Sequence, residues 1–235
     1  MMIYFYSLIG KLIQLLPKYK KIKIFGLEAF FYIPIYNPYI CMDILKLEKG
    51  TREPELYKWL NNIKENFIYF DLGTSYGQEV SLLSTRAKKT NSKIFGFDCS
   101  LSASHFCALN KEINNNNFEF IFAAVSNSSG DIVKIEATSD INKSHKYSYQ
   151  VLTLKLDDFC KTRNIYPTHM KIDIDGAELN IIKGAQELFE RQELKEVFLE
   201  VNDNYEEIVS LLKKHKFEIT WEKTFKRNKC LIFKR

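Results

Sequence analysis

The sequence predicts an α/β protein with a mostly parallel sheet, helices on both faces and an antiparallel hairpin at the C-terminal end. From about Glu53 onward, apolar strands alternate with amphipathic helices. Nearly continuous apolar strands are typical of parallel sheets that helices cover on both sides. Only a few residues separate the last two strands, residues 217–223 and 229–235. They must pair as a hairpin, because a parallel connection needs a crossover.

Length and composition indicate one globular domain. The 235 residues suit an N-terminal helical and aromatic extension over residues 1–50 and a single domain over residues 51–235. Apolar residues make up 46% of the chain and charged residues 27%, which is ordinary for a globular protein. The net charge of +5 comes without a basic stripe that alternates with aromatic residues. The pattern therefore gives no indication of nucleic acid as a partner.

The N-terminal residues 1–21 combine an apolar stripe with lysines. One helical face would carry the side chains of Phe5, Leu8, Ile9, Leu12, Leu15 and Leu16. The stripe is shorter than the roughly 20 apolar residues of a spanning helix, and Lys11 interrupts it. Two alternatives stay open. Either the helix docks on the core or on a second copy of the chain, or residues 1–23 lie on a membrane surface with the lysines toward anionic lipid.

The elements follow from hydrophobic periodicity and from helix start signals. Residues 22–49 mix aromatic and β-branched runs with Pro34 and Pro38, which predicts one or two short strands or irregular cover. Pro54 stands in the first turn of the next helix, where proline is favoured. The domain continues with helix 53–63, strand 66–72, helix 77–89, strand 93–98, helix 101–113 and strands 118–125 and 130–137.

A polar loop over residues 138–150 precedes the second half of the domain. Loops over a rigid sheet often carry specificity, so we expect this loop and the N-terminal aromatic segment to contact a substrate. The remaining elements are strand 151–156, helix 157–163, strand 169–175, helix 177–191, strand 196–202, helix 205–215 and the final hairpin.

The five cysteines and four histidines predict no metal site. The cysteines lack C-x-x-C and Cys/His metal spacing. We therefore expect reduced thiols in a cytoplasmic protein, at most at the inner face of a membrane. The histidines form no HExxH or H-x-E pair. Mg²⁺ held by carboxylates alone stays open.

Acidic residues stand at the ends of three predicted strands. They are Asp71, Asp98 and the pair Asp173 and Asp175. A single acid after a strand is most often a helix cap or a solvated turn. Three together matter more, because ligands of an open α/β sheet bind beyond the carboxyl ends of its strands. We therefore expect a ligand site at this edge of the sheet.

The segment YFDLGTSYGQEV, residues 69–80, places Gly73 and Gly77 between a strand and a helix. Glycine lets a ligand approach the backbone N–H groups at the helix start, where positive partial charge favours a carboxylate. Asp98 closes the next strand, where an acid accepts hydrogen bonds from ribose hydroxyls. Ser75 stands where the fingerprint G-x-G-x-x-G needs its second glycine. This pattern favours S-adenosylmethionine over a nicotinamide cofactor.

Six motifs in order carry a resemblance to a known family: YFDLGTSYG, FGFDCS, AAVSNSSGD, LTLKLDDF, KIDIDGAELNIIKGA and FLEV. Over about residues 50–235 the chain resembles the FkbM-type S-adenosylmethionine-dependent methyltransferases, with KIDIDGAELNIIKGA as the most distinctive motif. The resemblance implies a Rossmann-like class I methyltransferase fold with a seven-stranded sheet. It also implies O-methylation of an acceptor such as a sugar hydroxyl of a surface glycan or a secondary metabolite.

Residues of this sequence that match the family's motifs are expected to bind S-adenosylmethionine. They are Asp71, Gly73, Thr74, Ser75, Tyr76, Gly77, Asp98, Cys99, Ala123, Ala124 and Asp173. Two stretches depart from the family. Residues 74–76 replace its usual Ala-Asn pair, and residues 98–100 replace Glu-Pro-Asn. Aspartate is one methylene shorter than glutamate and still reaches a ribose, so we expect cofactor binding with altered detail.

The segment KIDIDGAE also indicates chemistry on its own. In a strand, Lys171, Asp173 and Asp175 point to one face. A charge on a covered strand needs a partner, and we expect Glu200 on the next strand to neutralise Lys171. Asp173 is the first candidate for the general base, Asp175 the second and His145 of the polar loop the third. A carboxylate trio that holds Mg²⁺ is the alternative.

Two other functions stay open beside an S-adenosylmethionine-dependent O-methyltransferase. A non-catalytic binding or scaffold protein would keep the same fold. A nicotinamide-dependent oxidoreductase or epimerase is disfavoured by the missing glycine pattern and by the lack of a Tyr-x-x-x-Lys pair at a helix start.

Overall fold

A computed structural model of the chain describes residues 18–64, 66–138, 146–225 and 228–235. Its strands are β1 (Tyr19–Ile24), β2 (Leu27–Tyr32), β3 (Ile68–Leu72), β4 (Lys93–Asp98), β5 (Glu119–Phe122), β6 (Ala124–Ser126), β7 (Ile132–Thr138), β8 (Lys146–Lys155), β9 (His169–Ile172), β10 (Glu196–Val201), β11 (Glu218–Phe225) and β12 (Asn228–Lys234). Its helices are α1 (Pro38–Glu48), α2 (Pro54–Asn62), α3 (Gln78–Ala87), α4 (Leu101–Ile113), α5 (Leu156–Arg163), α6 (Glu178–Gly184), α7 (Gln186–Glu190) and α8 (Tyr205–Lys214).

Seven strands form one sheet in the order β11-β12-β10-β9-β3-β4-β5. The five strands from β10 to β5 are parallel, and β12 pairs antiparallel with both β10 and β11. This confirms the predicted mostly parallel sheet with its antiparallel C-terminal hairpin. The chain moves outward from β3 through β4 to β5 and then returns to β9 on the other side of β3. Strand order therefore reverses between β3 and β9, and open α/β sheets bind ligands in the crevice at such a reversal.

Helices cover both faces of this sheet, as predicted, and each face has its own apolar core. One core contains Tyr69 of β3 together with side chains of α1–α4. The other contains the next residue, Phe70, together with side chains of α5–α8. Successive side chains of a strand point to opposite faces. On β9, Met170 and Ile172 accordingly lie in the second core, while Lys171 points to the first face.

Helix α1 corrects the prediction for residues 22–49, which expected strands or irregular cover there. The strands are present, because β1 and β2 form an antiparallel hairpin. The helix that follows carries two start signals. The Asn37 side chain accepts a hydrogen bond from the backbone of Ile40 at 3.2 Å, and Pro38 occupies the first turn. Apolar side chains at helical spacing bury one face of the helix, namely Ile40, Ile44 and Leu47.

Three further elements are divided differently from the prediction. The strand expected at 118–125 is split between β5 and β6, and β6 belongs to a separate three-stranded sheet of order β6-β8-β7. The helix expected at 177–191 breaks at Ala185 into α6 and α7. The polar loop expected at 138–150 is shorter, because residues 146–150 pair with β7 as part of β8. Each difference depends on pairing or packing with distant segments, which local patterns do not contain.

The predicted N-terminal helix lies outside the described residues, which start at 18. The rest of the predicted extension shares one core with the domain: Ile22, Phe31 and Leu47 cluster with Tyr57 and Leu83. Nowhere in the described part of the chain is there a helix long and apolar enough to span a membrane.

Gly73 and Gly77 bracket the turn after β3, and their φ angles are +80° and +82°. A Cβ atom on Gly73 would lie 1.9 Å from the carbonyl oxygen of Asp173, and one on Gly77 would lie 2.9 Å from Sγ of Cys107. The missing side chains therefore let the turn pack against the end of β9 and against α4. Close packing within the chain therefore requires glycine at both positions, and the ligand access expected from the sequence stays a prediction.

Gly73→Ala is expected to lower the free energy of unfolding by roughly 3 kcal/mol or more, because the added methyl group meets a backbone atom and the positive φ adds strain. Gly176→Ala is the matched control. Its φ is +83°, and a Cβ atom there meets nothing within 4 Å. It should lose only about 1–2 kcal/mol of backbone strain. Urea unfolding of both variants measures the difference, and equal losses would contradict the packing role of Gly73.

Candidate active site

The loops that follow β5, β4, β3 and β9 meet at one edge of the sheet. Backbone hydrogen bonds join three of these loops to a neighbouring strand: Ala123 N–H to the Asp98 carbonyl at 3.1 Å, Gly73 N–H to the Phe97 carbonyl at 2.9 Å, and Asp173 N–H to the Leu72 carbonyl at 3.0 Å. The structure therefore brings the predicted site residues of four separate segments together beside the reversal of strand order.

The turn between β3 and α3 uses its backbone donors within the chain. The N–H groups of Gly73 and Thr74 both donate to the carbonyl oxygen of Phe97, at 2.9 Å and 3.1 Å. Ser75 has a left-handed backbone with φ +51°, and its N–H donates to Oδ2 of Asp98 at 2.7 Å. The turn is thereby tied to β4. A carboxylate that binds here has to be held by groups other than these three donors.

Thr74 and Tyr76 point their side chains into the protein, and both are buried. The Thr74 hydroxyl donates to Oδ2 of Asp71 at 2.9 Å. The Tyr76 hydroxyl donates to Oδ2 of Asp43 in α1 at 3.0 Å, and Asp43 also pairs with Arg52. These two side chains anchor the turn to its surroundings. Any contact of Thr74 or Tyr76 with a cofactor would come from the backbone.

Asp98 ends β4 and organises the loop after it. Its Oδ2 accepts the Ser75 N–H and its Oδ1 accepts the Ser100 N–H, both at 2.7 Å. Burial raises the pKa of this carboxyl above its ordinary value, and the backbone hydrogen bonds oppose the rise. The side chain is partly exposed, and a carboxylate has lone pairs for further donors. Beside it, the Cys99 carbonyl accepts the Tyr149 hydroxyl at 2.8 Å, so β8 borders this part of the site.

Lys171 is the buried centre of the site. Its side chain is 3% exposed, and its Nζ lies 3.0 Å from Oδ2 of Asp173 and 3.4 Å from Oδ1 of Asp71. The expected pairing with Glu200 is wrong, because Glu200 accepts a hydrogen bond from β12 at 2.6 Å instead. The strand registers explain the difference. Asp71 lies directly opposite Lys171 on β3, whereas Phe198 holds that place on β10.

Burial and charge act in opposite directions on this cluster. Burial alone would lower the pKa of the Lys171 ammonium, but the carboxylates of Asp173 and Asp71 raise it well above its ordinary value. Burial raises the pKa of the Asp71 carboxyl, and Lys171 opposes that rise. Lys171 therefore stays charged and places a fixed positive charge beside the Asp173 carboxylate at the rim.

Asp175 and Glu178 lie beyond the end of β9. Asp175 is exposed and accepts a hydrogen bond from Asn202 at 3.1 Å. Glu178 is buried and accepts the Gly176 N–H at 3.1 Å, which fixes the turn. Burial raises the pKa of the Glu178 carboxyl, and its backbone hydrogen bonds oppose the rise. Of the two predicted catalytic carboxylates, Asp173 lies at the reversal of strand order and Asp175 lies toward the end of β10.

The sequence analysis also named His145 as a third candidate base and a carboxylate site for Mg²⁺ as an alternative. His145 lies outside the described residues. Across residues 18–64, 66–138, 146–225 and 228–235, no group of three or more His, Cys, Asp or Glu side chains is placed to hold a metal ion.

Three charged residues that the sequence analysis missed also lie near this edge: Asp43, Arg52 and Glu53. Arg52 pairs with Asp43, and its Nη2 lies 3.6 Å from Oε1 of Glu53. Glu53 has a left-handed backbone directly before Pro54. Glu53 stands beside the predicted start of α2, so the sequence shows an acid at that place. Only the packing of α2 against the sheet brings this acid near β9.

The strand order, the reversal and the acids at the carboxyl edge define a Rossmann-like α/β fold with a ligand crevice at this edge. A model of the methyltransferase FkbM domain matches residues 75–219, which is more than half of the chain. The chain belongs to the FkbM methyltransferase family. A search of curated proteins gives no match.

Solved structures of methyltransferases share this fold. Methyltransferase FkbM from Methylobacillus flagellatus KT is 15% identical with a TM-score of 0.54, over 86% of this chain and 55% of that one. This chain thus spans little more than half of that protein's length. Aeropyrum pernix fibrillarin, solved with natively bound S-adenosyl-L-methionine, is 13% identical with a TM-score of 0.50, and the match covers 92% of this chain and 82% of fibrillarin. Ribosomal protein L11 methylase from Lactobacillus delbrueckii subsp. bulgaricus is 14% identical with a TM-score of 0.50, and the match covers 80% of this chain and 79% of the methylase.

Lys171→Met is expected to lower the free energy of unfolding by about 3–5 kcal/mol at neutral pH, because it leaves the Asp71 carboxylate buried without its cation. The loss should shrink as the pH falls. Burial raises the pKa of Asp71, so this carboxyl becomes protonated and uncharged in the folded variant at acid pH.

The matched control is Lys183→Met, which removes an exposed lysine paired with Glu207 and should change stability by less than about 1 kcal/mol. Urea unfolding near pH 5 and near pH 8 provides the comparison over the range in which a raised carboxyl pKa acts. A loss that grows toward acid pH would show that Asp71 is not the group left unpaired.

Proposed function

We propose that the protein transfers a methyl group from S-adenosylmethionine to a hydroxyl group of a sugar in a glycan precursor or of a secondary metabolite. One observation carries the proposal: Asp98 and Asp173 stand on the two sides of the turn after β3, where the strand order reverses. A nucleoside held at Asp98 and an acceptor held at Asp173 would meet across this turn.

The residues at this edge fit the cofactor. After accepting two backbone N–H groups, the Asp98 carboxylate has lone pairs left for both ribose hydroxyls. The neighbouring residues Cys99, Ala123 and Ala124 have small side chains, against which adenine would lie. The amino-acid end would lie at the turn after β3, and the Asp173 carboxylate has enough lone pairs to accept from its ammonium group as well as from the acceptor hydroxyl. Support comes from Aeropyrum pernix fibrillarin, which has this fold and binds the same cofactor.

The cofactor supplies an electrophilic methyl group on a sulfonium when bound. The chain has to align the acceptor hydroxyl, exclude water and remove the hydroxyl proton. We assign the contact with the hydroxyl to Asp173, because it is the carboxylate at the strand reversal and the Lys171 ammonium fixes it at 3.0 Å. Asp175, exposed beyond the strand end, is the second candidate for this contact.

S-adenosylhomocysteine is expected to raise the melting temperature of the protein, and NAD is not. Asp98→Asn removes the charge that accepts the ribose hydroxyls and should weaken S-adenosylhomocysteine binding about 10- to 100-fold. Asp203→Asn alters an exposed acid after β10 and should bind as the unmodified protein does. Thermal shift and titration calorimetry measure both effects. A shift with NAD would favour an oxidoreductase, and no shift with either ligand would favour a scaffold.

Incubation with S-adenosylmethionine and a glycan-precursor fraction is expected to give a product heavier by one methyl group. With a ¹³C-labelled methyl group, NMR of the product distinguishes methyl on oxygen from methyl on nitrogen or carbon. Asp173→Asn should lower the rate about 100-fold while S-adenosylhomocysteine still binds, with Asp203→Asn as the control. Methyl on nitrogen or carbon would refute O-methylation and leave methyl transfer intact.

A further inference from the structure

The side of helix α1 that faces solvent carries apolar side chains. Tyr39 is 69% exposed, Met42 53% and Leu45 37%, and Tyr36, just before the helix, is 58% exposed. Residues three apart are neighbours on a helix surface, so Tyr39, Met42 and Leu45 form one continuous stripe, called the α1 stripe below. The opposite side of α1 packs into the core. Large apolar side chains that share an exposed patch indicate a surface that binds a partner.

Lysines lie within and beside the α1 stripe. The helical positions of Lys46 and Lys49 fall between those of the three apolar residues, and both side chains are exposed. A third lysine, Lys20 of β1, pairs with Glu48 at the end of α1, with 2.7 Å between Nζ and Oε2. The surface therefore combines apolar contact area with a local excess of positive charge.

The N-terminal residues 1–17 join the described part of the chain beside this surface. The carbonyl oxygen of Lys18 accepts the N–H of Ile33 at 2.8 Å, and α1 begins five residues after Ile33. The exposed side chain of Ile35 lies in between. Residues 1–17 themselves lie outside the described residues. Their sequence has the apolar stripe noted above, and the first acidic residue of the whole chain is Glu28.

Charge distinguishes the possible occupants of this surface. Residues 1–17 contain no acidic residue, so as a cover for the α1 stripe they would leave Lys46 and Lys49 without opposite charge. A second copy that packed the same face on itself would bring these lysines close to their own equivalents, because a two-fold interface pairs identical patches. An anionic membrane supplies negative headgroups for the lysines and an apolar layer for the stripe.

We infer that the α1 stripe docks on the surface of an anionic lipid membrane and that residues 1–17 contribute to the same contact. Met42 and Leu45 reach the boundary between headgroups and acyl chains. Tyr39 suits this depth, because its ring is apolar and its hydroxyl is polar. Lys46 and Lys49 contact the phosphate groups. Two weak signals, apolar contact and positive charge, are what stable binding to a membrane surface requires.

The docked helix is joined to the candidate active site. On its buried side, Asp43 of α1 accepts the Tyr76 hydroxyl at 3.0 Å, and Tyr76 belongs to the turn after β3. Docking through α1 therefore holds the carboxyl edge of the sheet near the membrane, with only this helix between the turn and the lipid. The contact is independent of the proposed reaction, because vesicle binding is measured without turnover.

Flotation with lipid vesicles tests the docking of the full chain. The protein is expected to float with phosphatidylcholine vesicles that contain about one third phosphatidylglycerol, and to remain at the bottom with vesicles of phosphatidylcholine alone. Raising the salt concentration should release it, because salt screens exposed charges. Absence of flotation with both kinds of vesicle would overturn the inference, and equal flotation with both would overturn the role of the lysines.

Paired lysine variants test whether α1 makes the contact. Lys46→Gln combined with Lys49→Gln is expected to weaken binding to the anionic vesicles about 10- to 30-fold. The matched control combines Lys213→Gln with Lys214→Gln, which removes two exposed lysines from the last turn of α8. It makes the same change in net charge and should bind vesicles as the unmodified protein does. Equal binding by both paired variants would assign the contact to residues 1–17 alone and overturn the inference.

A fluorescent reporter tests the depth of the apolar stripe. Met42→Trp places an indole at an exposed position of α1, and lipids with brominated acyl chains should quench its emission in anionic vesicles. Lys214→Trp on α8 is the control and should show no more quenching than the unmodified protein. Equal quenching in both variants would overturn the docking of α1. Sedimentation without vesicles tests the remaining occupant: a dimer that Met42→Ser abolishes would show that a second copy covers the stripe, and would also overturn the inference.

Discussion

The buried ammonium of Lys171 is the interaction on which the rest of the site depends. A lysine on a central strand covered by helices needs opposite charge at close range, since an unpaired buried charge is costly. Asp71 supplies it from β3, and Asp173 supplies it at the rim. Asp71 also accepts the Thr74 hydroxyl. One cluster therefore fixes both the turn after β3 and the Asp173 carboxylate at the rim.

A second set of contacts links the same turn to α1 and to the start of α2. The Tyr76 hydroxyl donates to Asp43, Asp43 pairs with Arg52, and Arg52 lies beside Glu53. Helix α1, which carries Asp43, is therefore part of the site's framework as well as cover for the sheet. The N-terminal region that the sequence analysis separated from the domain at residue 50 supplies a buried charge to that domain's turn.

Local patterns predict what local burial determines. The bounds of β4 and α4 agree with the predicted residues 93–98 and 101–113. An apolar run and a helical apolar stripe show directly which side chains will be buried, so these two elements can be predicted from the local sequence. Contacts between side chains of neighbouring strands cannot be predicted in this way. The pairing of Lys171 with Asp71 depends on β9 lying between β3 and β10 and on the register of both pairs. The sequence predicted Asp98 and Asp173 at strand ends, but it did not indicate that Glu53 lies close enough to Asp173 for their charges to interact, since that depends on how α2 packs.

Two carboxylates near this edge, those of Asp173 and Glu53, have different surroundings. Asp173 lies 3.0 Å from a buried ammonium that stays charged, so it suits a fixed hydrogen-bond acceptor. Glu53 has its nearest cation at 3.6 Å, and burial raises its pKa to about 7, so it suits a group that gains and loses a proton. Asp173 is thus held in place by the buried ammonium, whereas Glu53 lies beside a guanidinium at a longer distance and its carboxyl has a raised pKa.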